Sequence, residues 1–185
     1  KKISEGYRCI KIKIGAIGFK EELGLISYIR NEYSKEDVEI RVDANGAFHP
    51  GEAMEKIKQL AEYEIHSIEQ PVRAGQWQEM ARICEESPVP VALDEELIPL
   101  MDQEERRKML VAVRPAWLIL KPGLLGGFRA CEEWISLAGE HNSGWWVTSA
   151  LESNIGLNAI AQWTWTLKNP MPQGLGTGQL FTNNI

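Results

Sequence analysis

Apolar and polar residues follow a repeating pattern of short strands and longer helices. Each short apolar run ends in a polar or charged residue and precedes a stretch with apolar positions at helical spacing. The pattern predicts strands at residues 7–14, 38–43, 65–69, 90–94, 117–121 and 145–149, with a weaker seventh at 174–181. It predicts helices at residues 19–31, 50–64, 77–86, 103–113, 128–141 and 155–167.

This alternation predicts a parallel sheet with helical crossovers, either doubly wound or closed into a barrel. No G-x-G-x-x-G follows the first strand, which disfavours a dinucleotide-binding sheet. A (β/α)8 barrel has eight strands. Because seven strands are counted, we expect one more before Lys1. The sequence therefore favours an α/β barrel, with residues 1–185 forming one domain that is a fragment of a longer chain.

The composition is that of a folded domain with a substantial core. Of the 185 residues, 44% are hydrophobic, and the net charge of −6 gives no reason to expect nucleic-acid binding. No apolar run approaches the ~20 residues that cross a bilayer, so no membrane partner is predicted. Cys9, Cys84 and Cys131 lack C-x-x-C spacing, which predicts free thiols and a cytoplasmic location. The sequence leaves a homo-oligomer open.

Two lysines share one face of the first predicted strand. In the run IKIKI at residues 10–14, the isoleucines point one way and Lys11 and Lys13 the other. On a half-exposed antiparallel strand, both lysines would simply face solvent. A barrel strand is covered on both faces, so both would enter the interior, where an unpaired charge is costly. A barrel therefore requires negative charge close to these lysines.

Three acidic residues end successive predicted strands, about one strand–helix unit (~25 residues) apart. They are Asp43, Glu69 and Asp94, and Lys121 ends the next strand. Strand carboxyl ends converge at one rim of a barrel, where the active sites of this fold lie. Taken singly, Asp43 fits a turn, Glu69 an exposed loop and Asp94 a helix cap. Together they predict a Mg²⁺ site, because Mg²⁺ prefers oxygen ligands with room for water and substrate.

The ordered motifs Lys-x-Lys, Asp-Ala-Asn, Glu-Gln-Pro, Asp-Glu-Glu and Lys-Pro-Gly resemble the muconate-lactonizing subgroup of the enolase superfamily. The resemblance covers essentially the whole chain. It implies a (β/α)7β TIM-like barrel that is incomplete here, since the family's N-terminal capping domain and first barrel strand would precede Lys1. It also implies Mg²⁺ as the cofactor, held by Asp43, Glu69 and Asp94, and a small-molecule carboxylate as the substrate.

The same resemblance implies roles for the lysines. Lys13 and Lys121 are the expected acid/base pair on opposite faces of the substrate, and Lys11 is expected to tune Lys13. Branches of the superfamily that use a histidine base are disfavoured, because no histidine stands at a late strand end. The expected substrate contacts are Arg41, Asn45, Ser149 and Gly176. For the last two, the expected contact is a backbone N–H donor.

Within the subgroup, the chain most resembles the o-succinylbenzoate synthase family, on residues 41–45, 121–127, 149–156 and 174–178. That family dehydrates a succinyl-bearing cyclohexadiene carboxylate through an enediolate, in menaquinone biosynthesis. The resemblance implies that Lys13 removes the proton and then protonates the departing hydroxyl, while Lys121 acts as a cation. The nearest alternative is an N-acylamino-acid racemase or dipeptide epimerase, which needs both lysines as bases. A cycloisomerase and a non-catalytic barrel are further alternatives.

Overall fold

Strands and helices alternate along the chain in the predicted order, in a computed structural model that describes residues 2–177 and residue 182. The strands are β1 (Cys9–Lys13), β2 (Glu39–Asp43), β3 (Ser67–Glu69), β4 (Val91–Leu93), β5 (Trp117–Leu120) and β6 (Gly144–Val147). The α-helices are α1 (Phe19–Glu32), α2 (Pro50–Ala61), α3 (Trp77–Glu86), α4 (Gln103–Val113), α5 (Pro122–Leu125), α6 (Gly127–Glu140) and α7 (Asn154–Thr166). A 3₁₀ turn at Ile3–Glu5 precedes β1.

The strands of the described residues form one parallel sheet in the order β1-β2-β3-β4-β5-β6. In this register Lys13 lies opposite Asp43, and Asp43 lies opposite Glu69. A doubly wound sheet would reverse its strand order at a switch point, whereas a barrel keeps the order of the chain. The sheet is therefore part of a barrel, which confirms the predicted fold class.

The predicted seventh strand falls partly within the described residues. Gly174 forms a parallel bridge with Thr148, just past β6. Its N–H donates to the carbonyl of Val147 at 2.8 Å, and its carbonyl accepts from the N–H of Ser149 at 3.2 Å. This bridge continues the sheet beyond β6. Residues 178–181 of that prediction lie outside the described residues.

Both faces of β2, β3, β4 and β5 are almost entirely buried, whereas β1 at the edge of the sheet is partly exposed. The outer face packs on the helices through residues such as Ile26 of α1, Ile40 of β2 and Ile57 of α2, all fully buried. A second cluster of buried apolar residues lies on the inner face, because its members occupy strand positions on the same side of the sheet as the site residues. It consists of Ala92, Ile119 and Trp146. No helix in the described part of the chain is long and apolar enough to span a membrane.

The rim differs from the prediction in two details. β3 and β4 have three residues each, and Asp94 and Lys121 come directly after β4 and β5. The N–H of Asp94 donates to the side chain of Gln70 at 3.3 Å, so the chain has already left the strand ladder there. A short helix that the pattern did not predict, α5, begins after Lys121 with Pro122 at its first position, where proline is favoured.

The three cysteines are free thiols, as predicted. Burial raises the pKa of Cys84, like that of Cys131, from an ordinary 9.0 to about 12. The raised pKa favours the folded state below pH 9, and this contribution is lost as the pH rises toward 12. At pH 9 the thiolate fraction should fall from about one half in the unfolded chain to about one thousandth in the folded protein.

We therefore expect iodoacetamide to alkylate Cys84 at least about 100-fold more slowly at pH 9 in the folded protein than in the unfolded chain. Mass spectrometry of the labelled peptides over time measures both rates. The same reaction in guanidinium chloride supplies the unfolded reference. Equal rates in the two states would contradict the prediction.

Candidate active site

The two lysines of β1 point to the inner face of the sheet, as their alternation predicts. The ammonium group of Lys11 donates to Asp43 Oδ2 at 2.8 Å and to both carboxylate oxygens of Glu69 at 3.1 Å. Lys13 Nζ lies 2.9 Å from Asp43 Oδ2 and donates to Asn45 Oδ1 at 2.5 Å. Both lysines therefore meet the acidic residues of the neighbouring strands, which is the compensation that the sequence required.

The three predicted carboxylates lie at adjacent strand ends. Asp43 ends β2, Glu69 ends β3 and Asp94 follows β4, with exposed fractions of 0%, 2% and 1%. Lys121, which follows β5, donates from its Nζ to Asp94 Oδ2. The structure thus brings all three acids and the three predicted lysines to one rim of the sheet.

The electrostatics of the site reflect three buried carboxylates close together. Burial, opposed by Lys11 but reinforced by the charges of Asp43 and Asp94, raises the pKa of Glu69 to about 8. Burial would also raise the pKa of Asp43, but Lys11 and Lys13 together hold it below its ordinary value. Burial works to lower the pKa of Lys11, yet Glu69 and Asp43 outweigh it and raise that pKa, so Lys11 remains a cation.

The acids as arranged here do not form a metal cage. Within residues 2–177 and 182, no three His, Cys, Asp or Glu side chains stand close enough to hold a metal ion. Lysine ammonium groups stand among the acids instead, with Lys11 joining Asp43 to Glu69 and Lys121 on Asp94. The donor set nevertheless fits a hard divalent cation such as Mg²⁺. Its oxygens come from neighbouring strand ends, and their mutual repulsion is what a cation offsets.

Asn45 lies at the rim beside Lys13. It follows β2 in a left-handed conformation, with φ of 44°, and its N–H donates to Asp43 Oδ1 at 3.1 Å. Its side chain joins two charged groups, since its Oδ1 accepts from Lys13 and its Nδ2 donates to Glu95 Oε1 at 2.8 Å. This position is compatible with the predicted substrate contact, which stays a prediction.

Arg41 turns away from the rim. Its Nε donates to Glu39 Oε1 at 2.7 Å, and its Nη1 donates to the carbonyl of Pro172 at 3.1 Å. The guanidinium also stacks on the ring of Trp146, 3.9 Å from the ring centroid. Because Glu39 begins β2, these partners draw the side chain toward the amino end of the strand. These partners hold Arg41 within the protein, and its expected contact with the substrate stays a prediction.

Ser149 and Gly176 lie past the end of β6. The N–H of Ser149 donates to the carbonyl of Gly174, and its hydroxyl forms a hydrogen bond with the hydroxyl of Thr177. The backbone donor of Ser149 is therefore used within the chain, and its expected role toward the substrate stays a prediction. Gly176 is exposed, with open space where a Cβ would lie, and its contact with substrate stays a prediction.

Glu22 is a residue that the sequence reasoning missed. This carboxylate on α1 is 3% exposed, and its Oε1 accepts from the N–H groups of Gly15, Ala16 and Ile17 at 2.6 to 3.3 Å. It therefore holds the loop that follows Lys13. No motif signals this contact, because an acidic residue in the first turn of a helix is common on electrostatic grounds alone.

Gln70 and Glu96 were also missed, although the motifs Glu-Gln-Pro and Asp-Glu-Glu contain them. The sequence drew attention to the acid at the first position of each motif. Gln70 directly follows Glu69, Glu96 lies two residues after Asp94, and the two buried side chains are hydrogen-bonded to each other. The motifs were a usable signal for the presence of these residues, but not for their pairing.

Comparisons with known proteins agree with this geometry. The family described as Enolase C-terminal domain-like matches residues 1–180. The o-succinylbenzoate synthase of Desulfotalea psychrophila is 57% identical over 184 residues, which cover 100% of this chain and 50% of that protein. The crystal structure of MenC from Desulfotalea psychrophila LSv54 superposes with a TM-score of 0.94 at 55% identity, covering 100% of this chain and 51% of that one.

A relative with a different activity also matches. The hydrophobic dipeptide epimerase of Enterococcus faecalis is 30% identical over 104 residues, which cover 56% of this chain and 29% of that protein. The chain spans about half the length of the synthase and of the MenC structure.

Proposed function

The chain belongs to the enolase C-terminal domain-like family, and from that premise we propose that the protein carrying it is an o-succinylbenzoate synthase. The reaction is the dehydration of 2-succinyl-6-hydroxy-2,4-cyclohexadiene-1-carboxylate to o-succinylbenzoate in menaquinone biosynthesis. The observation that carries the proposal is 57% identity to such a synthase along the whole chain. Because the chain spans half of that relative, the activity is proposed for the whole protein.

Asp43, Glu69 and Asp94 are the proposed Mg²⁺ ligands. Their burial, their positions at three adjacent strand ends and their mutual repulsion support this assignment. When bound, Mg²⁺ would act as a Lewis acid that stabilises the second negative charge developing on the substrate carboxylate as the α-proton leaves.

Lys13 is the proposed base, and its neighbour Lys11 is not. The side chain of Lys13 is 63% exposed at the rim and can reach a substrate, whereas Lys11 is 32% exposed. Lys11 contacts both Asp43 and Glu69 and stays a cation, so it cannot accept a proton. The expected tuning of Lys13 by Lys11, which lies two residues away on the same face of β1, stays a prediction.

The proton balance needs one lysine. Lys13 removes the proton from the carbon next to the carboxylate, leaving the electron pair in the enediolate. The protonated Lys13 then donates to the hydroxyl on the neighbouring carbon, the C–O bond breaks, and water leaves as the ring becomes aromatic. Lys121 follows β5, four strands away from β1, and its ammonium group donates to Asp94. Its proposed contribution is a fixed positive charge.

The proposal is tested by following aromatisation of the cyclohexadiene carboxylate by absorbance. Product formation that requires Mg²⁺, and stops when the metal is chelated, is the expected result. Racemisation of an N-succinyl amino acid without aromatisation would support the site assignment but favour a racemase or epimerase over the synthase. If neither reaction occurs in the presence of Mg²⁺, the proposed function is wrong.

The alternative is an N-acylamino-acid racemase or dipeptide epimerase. It is favoured by the similarity to the dipeptide epimerase and by the presence of a lysine on each side of the carboxylates. Epimerisation removes a proton from one face and returns one to the other, so both Lys13 and Lys121 must exchange protons. Dehydration needs proton exchange at one lysine only.

Lys121→Arg should therefore retain measurable dehydration, within about 100-fold of the wild type, because arginine keeps the positive charge but does not act as a base. The absorbance assay measures this loss. Epimerisation of a dipeptide should vanish in the same variant, although Lys13 alone can still exchange the α-proton of one epimer for deuterium.

Lys121→Met, which removes the charge as well, serves as the matched control and should lose more dehydration than Lys121→Arg. If Lys121→Arg and Lys121→Met lose dehydration equally, the role of Lys121 as a cation is wrong and a two-base reaction is favoured.

We also propose a cytoplasmic location, supported by the free thiols Cys9, Cys84 and Cys131. The proposed partner is the small carboxylate substrate itself. Self-association into a homo-oligomer stays a prediction that native mass spectrometry tests.

A further inference from the structure

One buried glutamine touches all three strand ends that carry the proposed metal ligands. Gln70 comes directly after Glu69 at the end of β3 and is fully buried. Its backbone carbonyl accepts from the N–H of Gly46, in the loop after β2, at 2.7 Å. Its own N–H donates to the carbonyl of Ala92 on β4 at 2.9 Å. The backbone of Gln70 thus joins β3 to both neighbours.

The side chain of Gln70 holds the end of β4. Its Oε1 accepts from the N–H of Asp94 at 3.3 Å and from the N–H of Glu96 at 3.2 Å. Its Nε2 donates to the carbonyl of Val72 at 3.0 Å and to Glu96 Oε2 at 3.3 Å. Four side-chain hydrogen bonds therefore converge on one amide, and two of them position the backbone on either side of Glu95.

The chemistry of the partners fixes the orientation of this amide. The carbonyl of Val72 and the carboxylate of Glu96 only accept, so the NH₂ group of Gln70 must face them. Glu96 is itself 1% exposed and held in place, since its Oε1 accepts from the N–H of Gly75 and from Trp77 Nε1, both at 2.8 Å. Rotating the amide by half a turn would bring like groups together at every contact.

The backbone at Gln70 is also unusual. Its φ of 40° lies in the left-handed region, which a side chain other than glycine adopts at some energetic cost. This conformation turns the chain out of β3 immediately after Glu69. The hydrogen-bond network offsets the cost and holds the turn in place.

We propose that Gln70 is a positioning residue for the Mg²⁺ site. Its carbonyl and amide tie the ends of β2, β3 and β4 together, so that the side chains of Asp43, Glu69 and Asp94 need only local movement to share one cation. This inference rests on the metal ligands of the proposed function. The polar atoms of Gln70 are all used within the protein, and so it acts through the ligands rather than on the metal.

The test compares Mg²⁺ binding with folding. Gln70→Met keeps a side chain of similar length and removes its four hydrogen bonds. Isothermal titration calorimetry should give a dissociation constant for Mg²⁺ raised about 10-fold or more, the range expected when a group that orients a ligand is lost. High Mg²⁺ should recover most of the kcat of this variant.

Leu137→Ala is the matched control for lost stability. Leu137 is fully buried on α6 and belongs to the hydrophobic core, away from the rim. This variant should lower the Tm but leave the Mg²⁺ dissociation constant within about twofold of wild type. The comparison separates positioning of the ligands from a general effect on folding.

An exchange of side chains provides the rescue. Gln70→Glu alone sets a carboxylate against the carboxylate of Glu96 and should weaken Mg²⁺ binding at least as much as Gln70→Met. Adding Glu96→Gln restores an amide–carboxylate pair with the same total charge. The carbonyl of Val72 then faces a carboxylate oxygen instead of an NH₂ group, so one hydrogen bond is replaced by a repulsive contact. We therefore expect the double variant to recover part of the lost Mg²⁺ affinity and to bind Mg²⁺ more tightly than Gln70→Glu alone.

The outcomes distinguish this inference from the proposed function. If Gln70→Met lowers the Tm but binds Mg²⁺ as tightly as Leu137→Ala does, Gln70 is structural only and the inference is wrong. Failure of the double variant to recover Mg²⁺ affinity would also overturn it. A wild-type protein that binds no Mg²⁺ would overturn the ligand assignment first, and this inference with it.

Discussion

Lys13→Ala is expected to lower kcat for the proposed dehydration by about 10²- to 10⁴-fold, the range for loss of a group that transfers protons in the transition state. The same side chain serves twice, first as the base at the α-carbon and then as the acid at the departing hydroxyl, which favours the upper part of that range. Lys11 cannot replace it, because Asp43 and Glu69 hold its ammonium group. The aromatisation assay at saturating Mg²⁺ measures the loss.

Lys108→Ala is the matched control for this variant. Lys108 is 65% exposed on α4 and lies 4.0 Å from Glu104 on the same helix, so its removal should leave kcat unchanged within about twofold. Circular dichroism checks that both variants fold. Activity of Lys13→Ala within a few fold of wild type would reject Lys13 as the base and direct attention to Lys121.

Glu69→Gln should abolish the response of the protein to Mg²⁺. The wild type is expected to gain stability with Mg²⁺ until the site saturates, by about 2.7 kcal/mol at 100 times the dissociation constant. The variant keeps the shape of the side chain but removes one of three carboxylates, so this gain should be lost. Activity should fall at least about 100-fold with it. Thermal melts across a Mg²⁺ titration measure the first effect.

In metal-free buffer, Glu69→Gln is not expected to lower the thermal stability of the protein. Burial and the charges of Asp43 and Asp94 disfavour the ionised form of Glu69 despite its contact with Lys11, as its raised pKa records. Glu69→Gln should therefore melt at a temperature close to or above that of the wild type without Mg²⁺. The control is Glu79, a surface residue of α3 that forms an ion pair with Arg82. Glu79→Gln should leave the Mg²⁺ response intact. A saturating Mg²⁺ response in Glu69→Gln would exclude Glu69 as a ligand.

The sequence by itself determined the order of strands and helices. Helical and strand periodicities are local properties of the chain, so the elements were found wherever the apolar pattern was regular. Alternation placed Lys11 and Lys13 on one face, and equal spacing placed Asp43, Glu69 and Asp94 at successive strand ends. Once the sheet is parallel and in sequential order, those ends must meet at one rim. The prediction of the acid–lysine cluster therefore needed no knowledge of contacts.

Only the tertiary structure decided where each side chain goes on a given face. Arg41 shares its face with Asp43, yet Glu39 and Pro172 draw it to the opposite end of the strand. The backbone donor of Ser149 is taken by Gly174, a partner supplied by the bridge past β6. In both cases, residues far apart in the chain compete for one polar group, and periodicity carries no record of that competition.

The division of roles at the rim was also decided by tertiary contacts. Lys11 and Lys13 are equivalent in the strand pattern, but only Lys11 reaches both Asp43 and Glu69, so the side chain of Lys13 is left about twice as exposed as that of Lys11. Gln70 and Glu96 form a hydrogen bond between the loops that follow β3 and β4. The sequence motifs contain both residues but do not indicate this contact. Periodicity fixes which face a residue occupies, because that depends on backbone geometry alone. Its partner depends on which distant groups are buried beside it, and that is set only when the strands assemble.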